Sequence, residues 1–96
     1  MLLPAVLLAL HLTAGGLESP ASAEVCGRCH RAIHESWTAS THSQAMESRL
    51  FQDALGMAEA DFGPAGRMVC LGCHSPIAAK IGDIGLEKKV SWEGVT

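Results

Sequence analysis

The chain carries one short pattern twice: Cys-Gly-Arg-Cys-His at positions 26–30 and Cys-Leu-Gly-Cys-His at positions 70–74. The sequence contains four cysteines, and these two copies hold all of them. In each copy, a histidine follows directly after the second cysteine. Any interpretation of the fold must therefore explain two cysteine pairs, each with an adjacent histidine.

This pattern predicts covalent attachment of haem. Residues three positions apart on one helical turn face the same side, so both thiols of a pair can add to the two vinyl groups on one haem edge. The histidine that follows can then bind the iron as its proximal ligand. The predicted residues are Cys26, Cys29 and His30 for one haem c, and Cys70, Cys73 and His74 for a second.

Two other uses of the cysteines fit the sequence less well. Four thiols in two pairs can bind zinc, but such pairs are usually separated by roughly 15 to 20 residues. Here the pairs are separated by residues 30–69. Two disulfides would suit an exported protein. Neither zinc nor disulfides explain why a histidine follows each pair.

The remainder of the sequence predicts a mainly α fold with extensive loop and little or no sheet, organised around the haems. No strand-like alternation is present. Residues 26–34 favour a short helix that ends near Trp37. Thr41 to Gln44 has the form of a capping box, which predicts the start of a second helix.

The second predicted helix carries apolar residues at helical spacing. They are Met46, Leu50, Ala54 and Met57, with Phe51 and Leu55 alongside. Residues 63–66, which read Gly-Pro-Ala-Gly, predict its end. Pro76 limits a helix that begins at Cys70, and we expect irregular coil after it, with a short extended piece over 90–96.

The sixth ligand of each iron is a separate question. His42 follows a break in the helical pattern and can point toward a neighbouring haem, so we predict it as a distal iron ligand. A hydrogen bond to a haem propionate, or a plain surface position, is the alternative for His42. His34 would share the face of His30 on a continuing helix, and Met46, Met57 and Met68 suit packing better than ligation.

The first residues have the layout of a secretory signal peptide. An apolar run over 2–12 is followed by the small-residue triplet 21–23, although no Lys or Arg precedes the run. The run is shorter than the roughly 20 residues of a spanning helix. We predict a signal peptide over 1–23 and a mature domain over 24–96, located in the periplasm or otherwise exported.

Composition excludes some classes of function. Ten acidic and seven basic residues give a net charge of −3 without long charge runs, which does not favour nucleic-acid binding. Only two Trp, two Phe and no Tyr are available for a core. A domain this small usually needs a cofactor, metal or crosslink for stability.

The segments 26–42 and 70–76 together resemble the multihaem cytochrome c superfamily, and within it the tetrahaem c-554-type electron carriers. The likeness consists of a Cys-x-x-Cys-His motif followed by Trp37, Ser40 and His42, and a later Cys-x-x-Cys-His-x-Pro that ends at Pro76. It implies a helical fold with closely stacked haems and frequent bis-histidine ligation, which supports His42 as a ligand. It also implies that residues 92–96 approach a third site and that the chain is truncated there.

The function expected from this resemblance is electron transfer between redox partner proteins in an exported or periplasmic respiratory chain. No membrane association beyond the export signal is indicated. The alternative is the N-terminal portion of a multihaem oxidoreductase that acts on small nitrogen or sulfur compounds. No residue of the chain marks an open coordination site, so an electron carrier is favoured over an enzyme.

Overall fold

A computed structural model describes residues 22–96 of the chain. It contains α1 (Ala23–Gly27), α2 (Arg31–Thr38), α3 (Arg49–His74), α4 (Pro76–Ile81) and a 3₁₀ helix (Lys89–Trp92). No strand occurs within this range, which confirms the predicted mainly α fold with extensive loop. None of the helices in the described range is long and apolar enough to cross a membrane.

The predicted signal peptide falls almost entirely on residues that the structure does not describe. Positions 1–21 lie outside the described range. Ser22 caps α1, its hydroxyl accepting from the amide of Glu24, and Ala23 is the first residue of that helix. The boundary between leader and domain at position 23 stays a prediction.

The single short helix expected over 26–34 is wrong, because the chain breaks between α1 and α2. His30 has φ −96° and ψ 59°, outside the helical region, and caps α2. The break allows α2 to fold back so that His34 packs on Gly27, where a Cβ would lie 2.6 Å from the His34 ring. The predicted end near Trp37 is confirmed, since α2 ends at Thr38.

Helix α3 begins later than the capping box at Thr41 predicts. Residues 41–47 form successive turns, and Ser48 is the N-cap, its hydroxyl accepting from the amide of Phe51 at 3.3 Å. Ser43 contributes to the difference because its hydroxyl donates to the carbonyls of Thr38 and Ser40. These contacts hold the segment as turns, so the local preference for a helix start is not realised.

Residues 63–66, which were predicted to end the helix, interrupt it instead as a kink within α3. Gly63 adopts φ 65° and ψ −156°, and Pro64 starts the second arm, where its missing N–H costs nothing. At Gly66 a Cβ would lie 2.5 Å from the carbonyl oxygen of Ala58. The glycines therefore allow the turn and the close approach of the two arms.

The hydrophobic core is small and lies where α3 meets α4. Its buried residues are Met46, Phe51, Leu55, Leu71, Ala78 and Leu86, with Cys70 and Ala79 packed against it. The buried face of the first arm of α3 is thus the one that carries Phe51 and Leu55. Leu50 and Met57, which share the predicted apolar spacing and were expected to pack on a haem face or on the core, are 81% and 67% exposed and do not contribute to the core.

A buried polar network closes the C-terminal part of the chain. The Asp83 carboxylate accepts from the hydroxyl of Ser91 and from the backbone amides of Glu87 and Lys88. The hydroxyl of Ser75, the N-cap of α4, donates to the carbonyl of Ser91 at 2.7 Å. The network supports the 3₁₀ helix, so the expected extended piece over 90–96 is wrong in its first half.

Residues 93–95, which we name the clasp, connect the C-terminal segment to the N-terminal helices. The Glu93 carboxylate accepts from the Ser22 hydroxyl at 2.6 Å and from the Ala23 amide at 2.8 Å. The Trp37 indole donates to the carbonyl of Val95 at 2.7 Å. The Val95 amide donates to the carbonyl of His42 at 3.0 Å. The clasp therefore holds α1, α2 and the turn segment 41–47 together.

Acid should weaken the folded state through Asp83. The hydrogen bond from Ser91, followed by that from the Lys88 amide, holds the pKa of Asp83 below its ordinary value. The resulting stabilisation is complete above the ordinary aspartate pKa of about 4 and is lost as pH falls through the lower folded value. Asp83→Asn should therefore lower the melting temperature at pH 7, and the deficit should shrink toward pH 2.

Thermal melts of the haem-loaded protein, followed by circular dichroism between pH 7 and pH 2, measure this difference. Asp53→Asn is the matched control, because Asp53 is exposed on α3. A deficit for Asp83→Asn that stays constant over the whole pH range would contradict the prediction.

Candidate functional site

The second cysteine pair and its histidine lie on one continuous helical turn. Cys70, Cys73 and His74 occupy the C-terminal end of α3, which ends at His74. Residues three and four positions apart on a helix are neighbours on its surface. Both thiols and the imidazole can therefore approach one edge and one face of the same planar group.

The first pair reaches a similar arrangement without a continuous helix. Cys26 lies in α1, Cys29 lies in the following turn and His30 caps α2. The amides of Cys29 and His30 both donate to the carbonyl of Cys26, at 3.3 and 2.9 Å. The bond from His30 spans four residues, as in an α-helix. All three residues thus share one turn here too.

An apolar cleft of about 280 Å³ opens beside the first pair. Its walls combine residues of α1, residues of α2 and the last residue of the chain: Ala23, Cys26, Gly27, His30, Ile33, His34, Trp37 and Thr96. Trp37 is held in this wall because its indole donates to Val95 of the clasp. Ile33 is 68% exposed, so the cleft presents apolar surface to the outside.

Two further clefts flank the second pair. One, of about 720 Å³, is lined by residues of the turn segment and the start of α3 together with His74: Thr41, Gln44, Ala45, Glu47, Ser48, Leu50, Phe51, Ala54 and His74. The other, of about 430 Å³, lies along both arms of α3: Ala58, Phe62, Ala65, Gly66, Val69 and Cys70. His74 therefore lines one cleft, and Cys70, the first cysteine of the second pair, lines the other.

The residues present fit a large apolar group that is bound covalently. All four thiols are free of disulfides, and only Cys70 is half-buried while the others are exposed. Phe62 and Val69, beside Cys70, are 73% and 76% exposed. Such an apolar surface is usually covered in a functional protein. Among residues 22–96 no cluster of His, Cys, Asp and Glu side chains that could hold a metal ion is found.

His42 lies on the turn segment with its side chain exposed. Its carbonyl accepts from the amides of Ala45 and Val95. Gly94 lies so close to this carbonyl that a Cβ there would collide with it. The neighbouring Thr41 lines the cleft of the second pair. The backbone of His42 is thus fixed while its imidazole is accessible.

The other candidates for iron ligation differ in exposure. Met46 is fully buried in the core, and Met57 is exposed on α3. Met68 is half-buried. His34 packs on Gly27 and lies 5.5 Å from Trp37 between ring centroids, and it lines the same cleft as His30. Met46 and His34 are therefore already in packing contacts with other residues.

Two contacts at these sites were missed at the level of sequence. Phe51 stacks on the His74 imidazole, with ring centroids 4.0 Å apart and an interplanar angle of 13°. Trp37 bonds to Val95, far along the chain. Phe51 carried a signal only as an apolar residue at helical spacing, and that pattern does not identify the residue it touches.

Comparison with known families agrees with this arrangement. The family model described as cytochrome c554 and c-prime matches residues 25–96. The chain belongs to this family. Comparison with curated proteins and with solved structures finds no significant match. As a member of the cytochrome c554 and c-prime family, the chain is a c-type cytochrome that binds haem c covalently and carries electrons.

The two glycines inside the motifs should respond differently to alanine. Gly27→Ala places a Cβ against the His34 ring, 2.6 Å away, and should lower the free energy of unfolding by about 1–3 kcal/mol through overpacking. Gly72→Ala meets nothing within 4 Å. In a helix interior it should raise the free energy of unfolding by about 0.5–1 kcal/mol.

Denaturant titration of the haem-loaded variants measures both changes. A second substitution, His34→Ala, should recover part of the loss caused by Gly27→Ala, because it removes most of the clashing ring. Equal stability of the two glycine variants would show that the close packing of α2 on α1 is absent in solution.

Proposed function

We propose that this cytochrome binds two haems c in the chain described here and passes electrons between redox partner proteins in an exported, periplasmic respiratory chain. The observation that supports this most strongly is the repeated turn. Each turn places two free thiols and one imidazole together beside apolar surface. Cys26, Cys29 and His30 would hold the first haem, and Cys70, Cys73 and His74 the second.

Haem supplies a reversible one-electron change at iron when it is bound. The residues of this chain contribute attachment and environment. Each thiol would hold the haem through a thioether made by addition of its S–H across one haem vinyl group, and each imidazole would contribute one nitrogen to the iron. At the first site, the apolar side chains of Ile33 and Trp37 would limit the access of water, a factor that tunes reduction potential.

His42 is proposed as a distal iron ligand in this protein. Its imidazole is exposed, while bonds to the clasp and to Ala45 fix its backbone. A ligand on a held backbone loses little freedom on binding. The turn segment also links the two sites. Thr41 lines the cleft that contains His74. The carbonyl of His42 accepts from the amide of Val95, and the next residue, Thr96, lines the cleft beside the first pair.

Export to the periplasm is proposed from the leader layout of residues 1–23. The apolar run and the small-residue triplet are typical of a secretory signal peptide. Mass spectrometry of the mature N-terminus measures the position of cleavage.

The haem count tests the proposal directly. The chain should be produced in a host with cytochrome c maturation and analysed by haem stain on a denaturing gel and by intact mass. The parent should carry two haems. Cys26→Ser with Cys29→Ser should carry one, and so should Cys70→Ser with Cys73→Ser. A parent with one haem or none, or a double variant that retains two, would refute the two-haem assignment.

The role of His42 has its own test in the ultraviolet–visible spectrum. His42→Ala should convert one low-spin haem to high spin and allow its reduced form to bind carbon monoxide, and added imidazole should restore the low-spin spectrum. His34→Ala is the matched control and should leave the spectrum low-spin. An unchanged spectrum in His42→Ala would assign His42 to the surface or to a propionate contact. Binding of nitrite to the reduced full-length protein would favour an enzyme.

A further inference from the structure

We propose that Phe51 is a positioning residue for the second haem, because it fixes the plane of the His74 imidazole. This inference rests on the proposed attachment of haem at Cys70, Cys73 and His74. It goes beyond that proposal by assigning a role to a residue outside both motifs.

The stack between the two rings is close and nearly parallel. The ring centroids lie 4.0 Å apart with an interplanar angle of 13°. Rotation of the imidazole about its Cβ–Cγ bond would push its edge into the face of the phenyl ring. The imidazole can therefore change its plane only if the two rings separate.

Phe51 is itself held firmly, so it can act as a fixed wall. It is only 9% exposed and belongs to the buried core with Leu55 and Leu71. Its amide donates to the hydroxyl of Ser48, which caps α3. His74, in contrast, is exposed at the last position of α3. Of the two rings, the phenyl ring sets the orientation and the imidazole follows it.

The thioether side of the second site is anchored to the same core. Cys70 is half-buried and packs against the cluster that contains Phe51. The haem edge bonded to Cys70 and the plane of the His74 imidazole would thus both be positioned by the same buried core. Residues that orient a metal ligand tune the metal in this way.

In the described part of the chain, the first site has no aromatic ring stacked on its histidine. Within residues 22–96, the ring contacts of histidines are His34 with Trp37 and His74 with Phe51, and none involves His30. The first haem therefore serves as an internal reference in the same molecule. A change at Phe51 should alter the second haem alone.

The plane of an axial imidazole relative to the porphyrin nitrogens sets its overlap with the iron d orbitals, and electron paramagnetic resonance reports this overlap in low-spin ferric haem. The test compares Phe51→Leu, which keeps apolar bulk without a ring, with Phe51→Tyr, which keeps the ring. Met57→Leu is the control, since Met57 is exposed on the same helix. Spectra are recorded on the oxidised, haem-loaded full chain with added imidazole, so that an iron without a distal ligand from the protein is also low-spin.

Phe51→Leu should shift the g-values of one low-spin signal and leave the other unchanged. Phe51→Tyr and Met57→Leu should retain both parental signals. The inference is overturned if Phe51→Leu leaves both signals in place, if both signals move together, or if Phe51→Tyr shifts a signal as far as Phe51→Leu does.

A measurement on the unmodified protein covers the case in which Phe51→Leu does not load haem. In the reduced protein with added imidazole, in which six-coordinate iron is diamagnetic, nuclear Overhauser effects should connect the Phe51 ring protons with the His74 imidazole protons, and their absence overturns the inference. The haem count of the parent separates the two proposals. Fewer than two haems refutes the attachment, whereas two haems with unaltered signals in Phe51→Leu refutes the role of Phe51 alone.

Discussion

The arrangement of the whole chain depends on one local constraint, which is that two thiols and one imidazole must share a single helical turn. At the first site the constraint is met by the bonds from the amides of Cys29 and His30 to the carbonyl of Cys26. At the second site it is met by the end of α3. At the first site α1 ends at Gly27, before the histidine, and α2 starts at Arg31, whereas at the second site α3 ends at His74 and α4 starts at Pro76.

The buried core of the protein is small, and this explains why apolar side chains stay exposed around the two cysteine turns. The buried cluster is small, while Leu50, Phe62 and Val69 expose most of their surface. Covalent haem would add apolar bulk that such a chain cannot supply from its own side chains. Polar contacts complement the core at its C-terminal side, through the Asp83 network and through the clasp.

The two sites are related in sequence but differ in their environment. The first is an apolar cleft between short helices, with Trp37 held in its wall by the clasp. The second lies at the end of a long kinked helix, where Phe51 stacks on the imidazole and Cys70 packs on the core. Two haems in such different surroundings would differ in reduction potential, because burial and ligand environment tune it. An electron on the chain would then reside mainly on the haem of higher potential.

The sequence by itself determined the features that depend on neighbouring residues. The two Cys-x-x-Cys-His turns, the kink at Gly63 and Pro64, and the mainly helical fold follow from spacing and backbone preference within a few positions. Tertiary structure decided that α3 starts at Arg49, with Ser48 as its N-cap, and that Phe51 is buried while Leu50 is exposed. It also decided the stacking on His74 and the clasp. These features depend on contacts between residues distant in the chain, and a local pattern does not specify which distant residues meet.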